Sequence, residues 1–308
     1  MNKALITGGT GFIGRHLCAD LLADGWQVEV ITRDTVAAAN VLPTGAQPVA
    51  SAAAAAPADA VINLAGENLA DGRWTEARKR EMRESRLRVT RELCQVIGGW
   101  ERPPAVLISG SAVGYYGARG GAVLDEREPN ANEFQSELCV AWEQAARRAE
   151  GVGVRVCRIR TGIVLGAEDG ALAQMITPFR FGLGGHFGTG KQYMPWIHIR
   201  DEVRAIRFLI DHDSCSGAFN LTAPNPATNR EFTTVLAKVM HRPSFAWVPG
   251  AMLKLILGEM AHLLLTGQRA IPAALQQAGF RFEFDRLKPA LTDLVGKNKD
   301  KHGNKESL

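Results

Sequence analysis

A glycine-rich segment near the N-terminus carries the first chemistry that the sequence offers. Gly8, Gly11 and Gly14 are spaced three residues apart, directly after a short apolar run. Glycine adopts the torsions of a tight turn cheaply, and its missing side chain lets a phosphate reach backbone N–H groups at a helix start. The third glycine lets that helix pack closely on the preceding strand. The segment therefore predicts a dinucleotide site. The residues expected to bind the cofactor there are Gly8, Gly9, Thr10, Gly11, Phe12, Ile13 and Gly14.

The end of the second apolar run indicates which dinucleotide is bound. An acidic side chain there would hydrogen-bond a ribose 2′-hydroxyl and repel a 2′-phosphate. Thr32 and Arg33 hold this position, and a guanidinium is suited to a phosphate. The sequence favours NADP(H), but the preference would reverse if Asp34 rather than Arg33 faced the ribose.

A third stretch, Asn63-Leu-Ala-Gly66, ends another apolar run. In open parallel sheets the ligand lies outside the carboxyl ends of the strands. We therefore expect Leu64, Ala65 and Gly66 to line the adenosine and pyrophosphate side of the same cofactor.

These segments need a sheet that brings their ends together. Short apolar runs alternate with helical patterns, which indicates parallel βαβ units. Strands are predicted at 3–7, 27–32, 47–51, 60–64, 105–109 and 154–160, and helices at 14–23, 75–98 and 134–149. This order predicts an α/β fold built on a doubly wound (Rossmann) parallel sheet.

The alternation weakens after about residue 165. We predict a Rossmann domain over 1–230, with substrate-lobe segments from about 165, a small helical C-terminal lobe over 231–295, and a disordered tail over 296–308. The glycine cluster at 182–190 is typical of a flexible or ligand-covering loop. The apolar run at 252–265 is too short and interrupted to span a membrane, and it predicts a core helix of the lobe.

Composition limits the classes of function. The chain has 308 residues, 46% of them hydrophobic and 22% charged, which is typical of a soluble globular protein. A net charge of +4 is too small to argue for a nucleic-acid or membrane partner. The five cysteines are widely spaced and form no Cys-x-x-Cys pair, so we expect free thiols in a reducing cytoplasm, without a signal peptide. We expect no metal site, and a monomer or homodimer that acts on a small molecule.

Further motifs carry a family resemblance. They are Gly66-Glu-Asn68, Arg73-Trp74, Ser85-Arg86, Ser111-Ala-Val-Gly-Tyr-Tyr-Gly117, Trp142-Glu143, Pro195-Trp-Ile-His198, Asn220-Leu-Thr-Ala-Pro224 and Gly267-Gln-Arg269. With the glycine loop, they resemble an atypical branch of the extended short-chain dehydrogenases/reductases, the sugar-nucleotide epimerase-like "epimerase family" group. The resemblance covers about residues 1–294 and implies a Rossmann fold, NADP(H) binding and a short helical C-terminal domain.

The resemblance adds two cofactor candidates on the long helix. Extended members carry a cofactor-contacting Asn there, and Arg86 holds that place in this sequence. Glu81, five residues earlier, is a candidate for orienting Arg86 or touching the ribose. The alternative is a solvated helix face, since residues 73–92 contain eight Arg or Lys and four Glu.

The catalytic residues of the superfamily are only partly present. Its hydride-transferring members use a Ser, a Tyr and a Lys four residues after the Tyr, and the Lys lowers the Tyr pKa. The tyrosines are Tyr115, Tyr116 and Tyr193, and none is followed by Lys at the fourth position. The places of that Tyr and Lys fall near Leu138 and Trp142.

Three residues remain as catalytic candidates. Ser111 holds the place of the polarising Ser, and Tyr116, or else Tyr115, is a proton donor without the lysine. The alternative is that both tyrosines pack a loop wall. Other residues with weaker claims are Glu67, Glu143, His186 and His198, for which capping, a salt bridge or packing is the competing interpretation.

Two classes of function stay open. The first is an NADP(H)-dependent oxidoreductase or epimerase-like enzyme on a small polar, possibly nucleotide-linked, substrate. The second is a non-catalytic NADP(H)-binding sensor or scaffold on the same fold, which the missing Tyr–Lys pair favours. Nucleic-acid binding through the arginine-rich helix is disfavoured, because glutamates interleave with the arginines and no stacking aromatic accompanies them.

Overall fold

The computed structural model describes residues 2–296, so all but the first residue of the predicted tail lies outside the described residues. The helices are α1 Phe12–Ala23, α2 Thr35–Ala39, α3 Glu76–Gly98, α4 Phe134–Ala146, α5 Gly170–Arg180, α6 Ile199–Asp211, α7 Asn229–Met240, α8 Gly250–Leu257, α9 His262–Leu265, α10 Ala273–Gln277 and α11 Leu287–Leu291. The strands of the central sheet are β1 Lys3–Thr7, β2 Gln27–Ile31, β3 Gln47–Val49, β4 Ala60–Asn63, β5 Val106–Ala112, β7 Arg155–Thr161 and β12 Gly217–Leu221. The remaining strands are short: β6 Val123–Leu124, β8 Ile163–Leu165, β9 Gly185–Phe187, β10 Tyr193–Met194, β11 Trp196–His198, β13 Ala227–Thr228, β14 Ala246–Val248 and β15 Arg269–Ala270.

The central sheet has seven parallel strands in the order β12-β7-β5-β4-β1-β2-β3. The chain leaves β1 toward β2 on one side and returns to β4 on the other, which makes a switch point between β1 and β4. In register, Thr7 lies opposite Asn63, and Asn63 opposite Ser109, so three strands end at the same edge. The predicted doubly wound sheet is confirmed.

Both faces of this sheet are buried, which explains its almost continuously apolar strands. Neighbouring strand residues face opposite layers. Ile6 packs in one cluster with Leu17 of α1 and Leu209 of α6. Leu5 packs on the other face with Ile97 of α3. The site at the sheet edge is therefore held by two apolar layers.

Helix α3 carries a clear start signal. It begins after Thr75, whose hydroxyl accepts a hydrogen bond from the backbone N–H of Arg78 at 3.1 Å. It ends at the Gly98-Gly99 pair, where helix propensity is low. The sequence placed this helix within one residue of its observed ends because both signals are local.

Strand β12 and helix α2 were not anticipated. The five residues of β12 show no regular alternation, and their strand conformation depends on pairing with β7, as Phe219 lies opposite Ile159. Helix α2 lies within the Ala- and Pro-rich stretch and is capped by Asp34.

The C-terminal lobe is mostly helical and is joined to the rest by backbone pairing. Strand β14 pairs with β9, and β15 pairs with β6, both in parallel. The buried Asp201 at the start of α6 accepts hydrogen bonds from the backbone N–H groups of Glu283 and Phe284, at 2.9 and 2.8 Å.

The apolar run at 252–265 is not the core helix that the sequence predicted. It divides into α8 and α9, because Gly258 takes a left-handed φ of 61° between them. Leu253 is buried, but Leu255 is 78% exposed and Ile256 54% exposed. Among residues 2–296, no helix is long and apolar enough to cross a membrane. The five cysteines are buried free thiols.

Candidate functional site

The glycine turn after β1 leaves no room for side chains. Gly8 has a φ of 72°, and a Cβ there would lie 2.7 Å from the Leu64 carbonyl. A Cβ on Gly9 would lie 2.6 Å from Val30 Cγ1, and one on Gly14 only 2.3 Å from the Gly8 oxygen. The turns after β1 and β4 thus approach each other through their backbones.

The N-terminus of α1 opens from this turn. Its N-cap residue, Gly11, provides no side-chain hydrogen bond, and its own N–H donates to the Gly8 carbonyl at 3.0 Å. The Phe12 ring points to the loop after β8, where a Cβ on Gly166 would lie 2.3 Å from it. Ile13 packs against the core. Because Gly11 has no side chain and Phe12 and Ile13 are apolar, the polar groups in the first turn of α1 are its backbone N–H groups. Such N–H groups are suited to bind a pyrophosphate.

A tie across the turn holds this end of the helix. The Arg15 guanidinium donates to the Thr10 carbonyl at 2.9 Å and forms an ion pair with Asp169, in the loop before α5. The hydrogen bond from Arg15 thus fixes the Thr10 backbone at the start of α1.

At the end of β2, the two competing candidates have different surroundings. The Asp34 carboxylate accepts hydrogen bonds from two backbone N–H groups in the first turn of α2, at 3.1 and 2.9 Å. The Thr32 hydroxyl lies 3.3 Å from the Asp34 carbonyl. Arg33 is 93% exposed, and its guanidinium lies 3.9 Å from the Glu67 carboxylate. Asp34 is therefore committed to capping a helix, whereas Arg33 is available to a ligand.

Arg86 lies beneath the turn after β4. It is 8% exposed, and its guanidinium donates to the carbonyls of Met82 and Glu67 at 3.0 and 2.8 Å. The guanidinium lies 5.1 Å from the centre of the Trp142 ring, and a Cβ on Gly66 would lie 2.9 Å from its Cζ. Burial lowers the Arg86 pKa. This geometry supports the 66–67 turn, and the predicted direct contact with the cofactor stays a prediction.

Glu81 lies on the outer face of α3. Its side chain is 63% exposed and pairs with Arg78 at 3.1 Å. This is the intrahelical pairing that the charge pattern indicated. A role for Glu81 in orienting Arg86 or touching the ribose stays a prediction.

A buried hydrogen-bond chain that the sequence did not reveal supports the sheet edge. The Thr7 hydroxyl donates to Asn63 at 2.7 Å, and the Asn63 amide donates to the Thr90 hydroxyl at 2.8 Å. The Trp142 indole N–H also donates to Thr90, at 2.9 Å. Asn63 and Thr90 are 0% exposed, so this chain fixes β1, β4, α3 and α4 under the candidate site.

Ser111, at the end of β5, is part of a buried charged network. Its hydroxyl donates to the Glu143 carboxylate at 2.8 Å. Arg160 donates twice to Glu143, at 2.8 and 3.1 Å, and Arg158 approaches it at 3.3 Å. Glu143 thus forms the salt bridge that the sequence left open as the alternative to a catalytic role.

The two tyrosines differ in exposure. Tyr116 is 0% exposed, donates to Asn220 at 2.7 Å and accepts from Arg160 at 3.0 Å. Burial raises the Tyr116 pKa to about 12. Tyr115 is half-buried, with the Arg160 guanidinium 3.4 Å from its ring centre. A catalytic role for Tyr116 would require its enclosed hydroxyl to become accessible.

The positions of the missing Tyr and Lys are filled by apolar packing. Leu138 is 2% exposed and packs with Trp74, Met82 and Met260. The Trp142 ring covers Gly110, where a Cβ would lie 2.7 Å from it. These two positions thus provide no proton donor where the superfamily carries one.

A cavity of about 1260 Å³ lies where α4 begins. One wall comes from Trp74 and residues 133–135, and the other comes from residues 186–189, Arg230 and the C-terminal lobe. Its charged, histidine and aromatic lining residues are Trp74, Glu133, Phe134, His186, Arg230, Trp247, Lys254, Glu259 and His262. His186 was the candidate for covering a substrate and does line the cavity. Trp247, Lys254 and His262 were missed, because no local motif marks them.

A histidine and a carboxylate meet across this cavity. His262 Nε2 lies 3.0 Å from Glu133 Oε2, and the side chains are 40% and 31% exposed. The other carboxylate oxygen of Glu133 accepts from the backbone N–H of Ala118 at 3.2 Å. The pair therefore stands beside the segment that follows β5.

His198 is a packing residue. It is 1% exposed, stacks on Phe284 with ring centres 3.9 Å apart, and accepts from the backbone N–H of Arg200 at 3.0 Å. Burial lowers its pKa to about 4, so the ring is neutral near pH 7. No group of three His, Cys, Asp or Glu within the described part of the chain has the geometry of a metal site.

Comparison with known families covers most of the chain. Residues 4–222 match the NAD dependent epimerase/dehydratase family, and residues 248–294 match a domain of unknown function, DUF1731. An epimerase family protein of Mycobacterium leprae is 42% identical over 289 residues, which cover 93% of this chain and 94% of that protein. One of Bacillus subtilis is 38% identical over 304 residues, with 97% and 99% covered.

A solved structure gives the same picture. The crystal structure of human epimerase family protein SDR39U1 with NADPH superposes with a TM-score of 0.88 at 35% identity. The match covers 96% of this chain and 99% of the human one. The resemblance drawn from the sequence motifs is therefore confirmed, including the helical C-terminal region.

Proposed function

Because the chain belongs to the NAD dependent epimerase/dehydratase family, we propose that it is an NADP(H)-dependent oxidoreductase or epimerase-like enzyme. Its substrate is a small polar molecule, free or nucleotide-linked, bound in the cavity between the Rossmann domain and the C-terminal lobe. One observation carries the proposal: a side-chain-free glycine turn lies where β1 and β4 end, and the cavity is lined by Glu133, which contacts the segment after the neighbouring strand β5. Ligands of doubly wound sheets bind at the edge where such strands end.

The residues of the glycine turn fit a dinucleotide. Side chains at Gly8, Gly9 and Gly14 would collide with backbone or core atoms, and Gly11 leaves the start of α1 without a side-chain cap. The backbone N–H groups of this turn and of the start of α1 would hold the pyrophosphate. The bound NADP(H) supplies or accepts a hydride at its nicotinamide.

Arg33 supports the choice of NADP(H) over NAD(H). Its exposed guanidinium would bind the 2′-phosphate, and Asp34, which would repel it, is engaged as a helix cap. The human relative SDR39U1 was crystallised with NADPH, which agrees with this preference.

The proton-transfer group proposed here is His262, with Glu133 as its positioning partner. A reduction or epimerisation needs a group that exchanges a proton with a substrate oxygen, and an imidazole is the side chain that most often does this in enzymes. The imidazole lies in the cavity wall, 3.0 Å from the carboxylate that orients it. Ser111 and the two tyrosines keep their predicted role as competing candidates.

The second candidate function is a non-catalytic NADP(H)-binding sensor. It rests on the inaccessibility of the other proton-donor candidates. The hydroxyls of Ser111 and Tyr116 are both bonded within one buried network. Leu138 and Trp142 fill the places of the acid–base pair. A protein that only binds the cofactor would need none of these groups to be accessible.

Two measurements test the proposal. NADPH binding is followed by cofactor fluorescence, and NADPH oxidation by its absorbance over a panel of aldehydes, quinones and sugar nucleotides. We expect turnover with at least one class of compound, and a rate about tenfold or more lower in His262→Asn and Glu133→Gln at unchanged NADPH affinity. The exposed His241, as His241→Asn, is the control.

The outcomes separate the alternatives. NADPH binding without turnover over the whole panel supports the sensor. Turnover that survives His262→Asn but falls in Ser111→Ala or Tyr116→Phe returns the proton transfer to the residues that the sequence indicated.

A further inference from the structure

We propose that the cavity between the two lobes selects an organic anion that carries a flat apolar body. Arg230 and Lys254 bind its anionic group, and its body lies against Trp247. This inference rests on the proposed function only in placing the substrate in this cavity. The chemical class is a carboxylate, sulfonate or phosphate attached to an aromatic or similarly planar group.

The acidic side chains of the cavity already have partners. Glu133 pairs with His262 at 3.0 Å. Glu259 pairs with Lys79 at 2.5 Å, and this hydrogen bond raises the Lys79 pKa. Neither carboxylate pairs with Arg230 or Lys254 within the described residues.

The basic side chains of the same wall have no carboxylate partner within residues 2–296. Among the described residues, Arg230 donates only to the His186 ring, at 3.3 Å, and to the Thr189 carbonyl, at 3.3 Å. Burial and the neighbouring Arg230 charge lower the His186 pKa, so that ring stays neutral near pH 7. Lys254 makes no hydrogen bond or ion pair with any described residue and faces the cavity. Two positive charges therefore remain to be matched by a ligand.

An aromatic surface lies in the same wall. The Trp247 indole N–H donates to the Gly188 carbonyl at 2.7 Å, which fixes the ring, yet the side chain is 60% exposed. Phe134 and Leu265 also line the cavity. Because the Trp247 ring is already fixed and is exposed, a ligand can pack on its flat face with little further loss of side-chain entropy.

The combination excludes simpler ligands. A neutral sugar would leave both cations unmatched, and a cationic ligand would be repelled by them. An anion with no apolar part would leave Trp247 exposed to water. Small-molecule sites are mostly apolar with a few placed polar groups, and this wall has that composition.

The test uses the full-length protein saturated with NADP⁺, which fills the dinucleotide site and does not fluoresce. The probes are 1-anilinonaphthalene-8-sulfonate and its uncharged analogue N-phenyl-1-naphthylamine, both followed by fluorescence. We expect Arg230→Gln and Lys254→Met each to weaken sulfonate binding about tenfold, the value of one charge-assisted hydrogen bond. Binding of the neutral probe should change less than about twofold.

Lys238→Met is the matched control, because Lys238 is an exposed lysine on α7, the helix that carries Arg230, but does not line the cavity. A second measurement needs no variant: 1-naphthoate should displace the sulfonate probe from the wild-type protein, and 1-naphthamide should not. Equal affinity for the acid and the amide overturns the proposal, as does an unchanged sulfonate affinity in both variants. If the wild-type protein does not bind NADP⁺ in a separate titration, that result contradicts the proposed function and not the choice of an anionic ligand.

Discussion

Arg160 holds Glu143 by two hydrogen bonds, of 2.8 and 3.1 Å, in a place where both side chains are less than 6% exposed. The same carboxylate accepts from Ser111, and the same guanidinium donates to Tyr116. One buried ion pair thus connects β5, α4 and β7 at the edge of the sheet. Ser111 and Tyr116, two of the three catalytic candidates from the sequence, are thus also residues that hold this edge together.

Breaking this pair should destabilise the protein strongly. Glu143→Gln leaves Arg160 buried beside a neutral amide, and loss of one partner of a buried pair costs about 3–5 kcal/mol. The free energy of unfolding from urea denaturation measures it. Glu150→Gln, which removes an exposed pair with Arg147, is the control and should change it by less than about 1 kcal/mol. A cost below that limit for Glu143→Gln would show that the network is not structural.

Gly8 and Gly25 form a matched pair for testing the cofactor turn. Their φ angles are 72° and 76°, so alanine adds the same strain of about 1 kcal/mol at each. A Cβ on Gly8 meets the Leu64 backbone at 2.7 Å, whereas no atom of the described part of the chain lies within 4 Å of one on Gly25. We expect Gly8→Ala to abolish NADPH binding by fluorescence titration and Gly25→Ala to preserve it. Equal affinities in the two variants would disprove the role of the turn.

Arg33 should set the ratio of NADPH to NADH affinity. Arg33→Ala removes a charge-assisted contact to the 2′-phosphate, so the ratio should fall about tenfold or more, with NADH affinity unchanged. Asp34→Asn keeps the helix cap and should leave the ratio within about twofold. Parallel titrations with both cofactors measure it. If only Asp34→Asn moves the ratio, the acidic residue faces the ribose.

Glu202 should make stability depend on pH. It is 0% exposed, and burial raises its pKa from 4.5 to about 8. Folding therefore favours the protonated acid: its contribution is complete below pH 4.5 and is lost as the pH rises toward 8. Between those values this group lowers the unfolding free energy by up to about 1.4 kcal/mol per pH unit.

Glu202→Gln tests this dependence, because an amide resembles the protonated acid and does not titrate. Denaturation at several pH values from 5 to 8 should give a flatter profile for the variant than for the wild type. Glu92→Gln, at an exposed position on α3, should retain the wild-type slope. A variant profile parallel to that of the wild type would mean that Glu202 is ionised in the folded protein.

The sequence predicted those parts of the protein whose signals are local. Gly8, Gly11 and Gly14 follow a strand within one turn, and strand β1 begins and ends where it was predicted. Asn63 was identified only by its motif, and its bond to Thr90, 27 residues away, required the packed helix. The cavity was not predictable, because Glu133 and His262 are 129 residues apart and no repeating pattern connects them.

The pairing of β14 with β9 has a consequence for how the cavity works. His186 lies on β9 and Trp247 on β14, opposite each other in register, so backbone hydrogen bonds set the spacing of these two lining residues. His186 and Trp247 therefore form a template of set spacing within one wall. We expect a ligand that contacts both residues to be selected by how well its length and shape match that spacing.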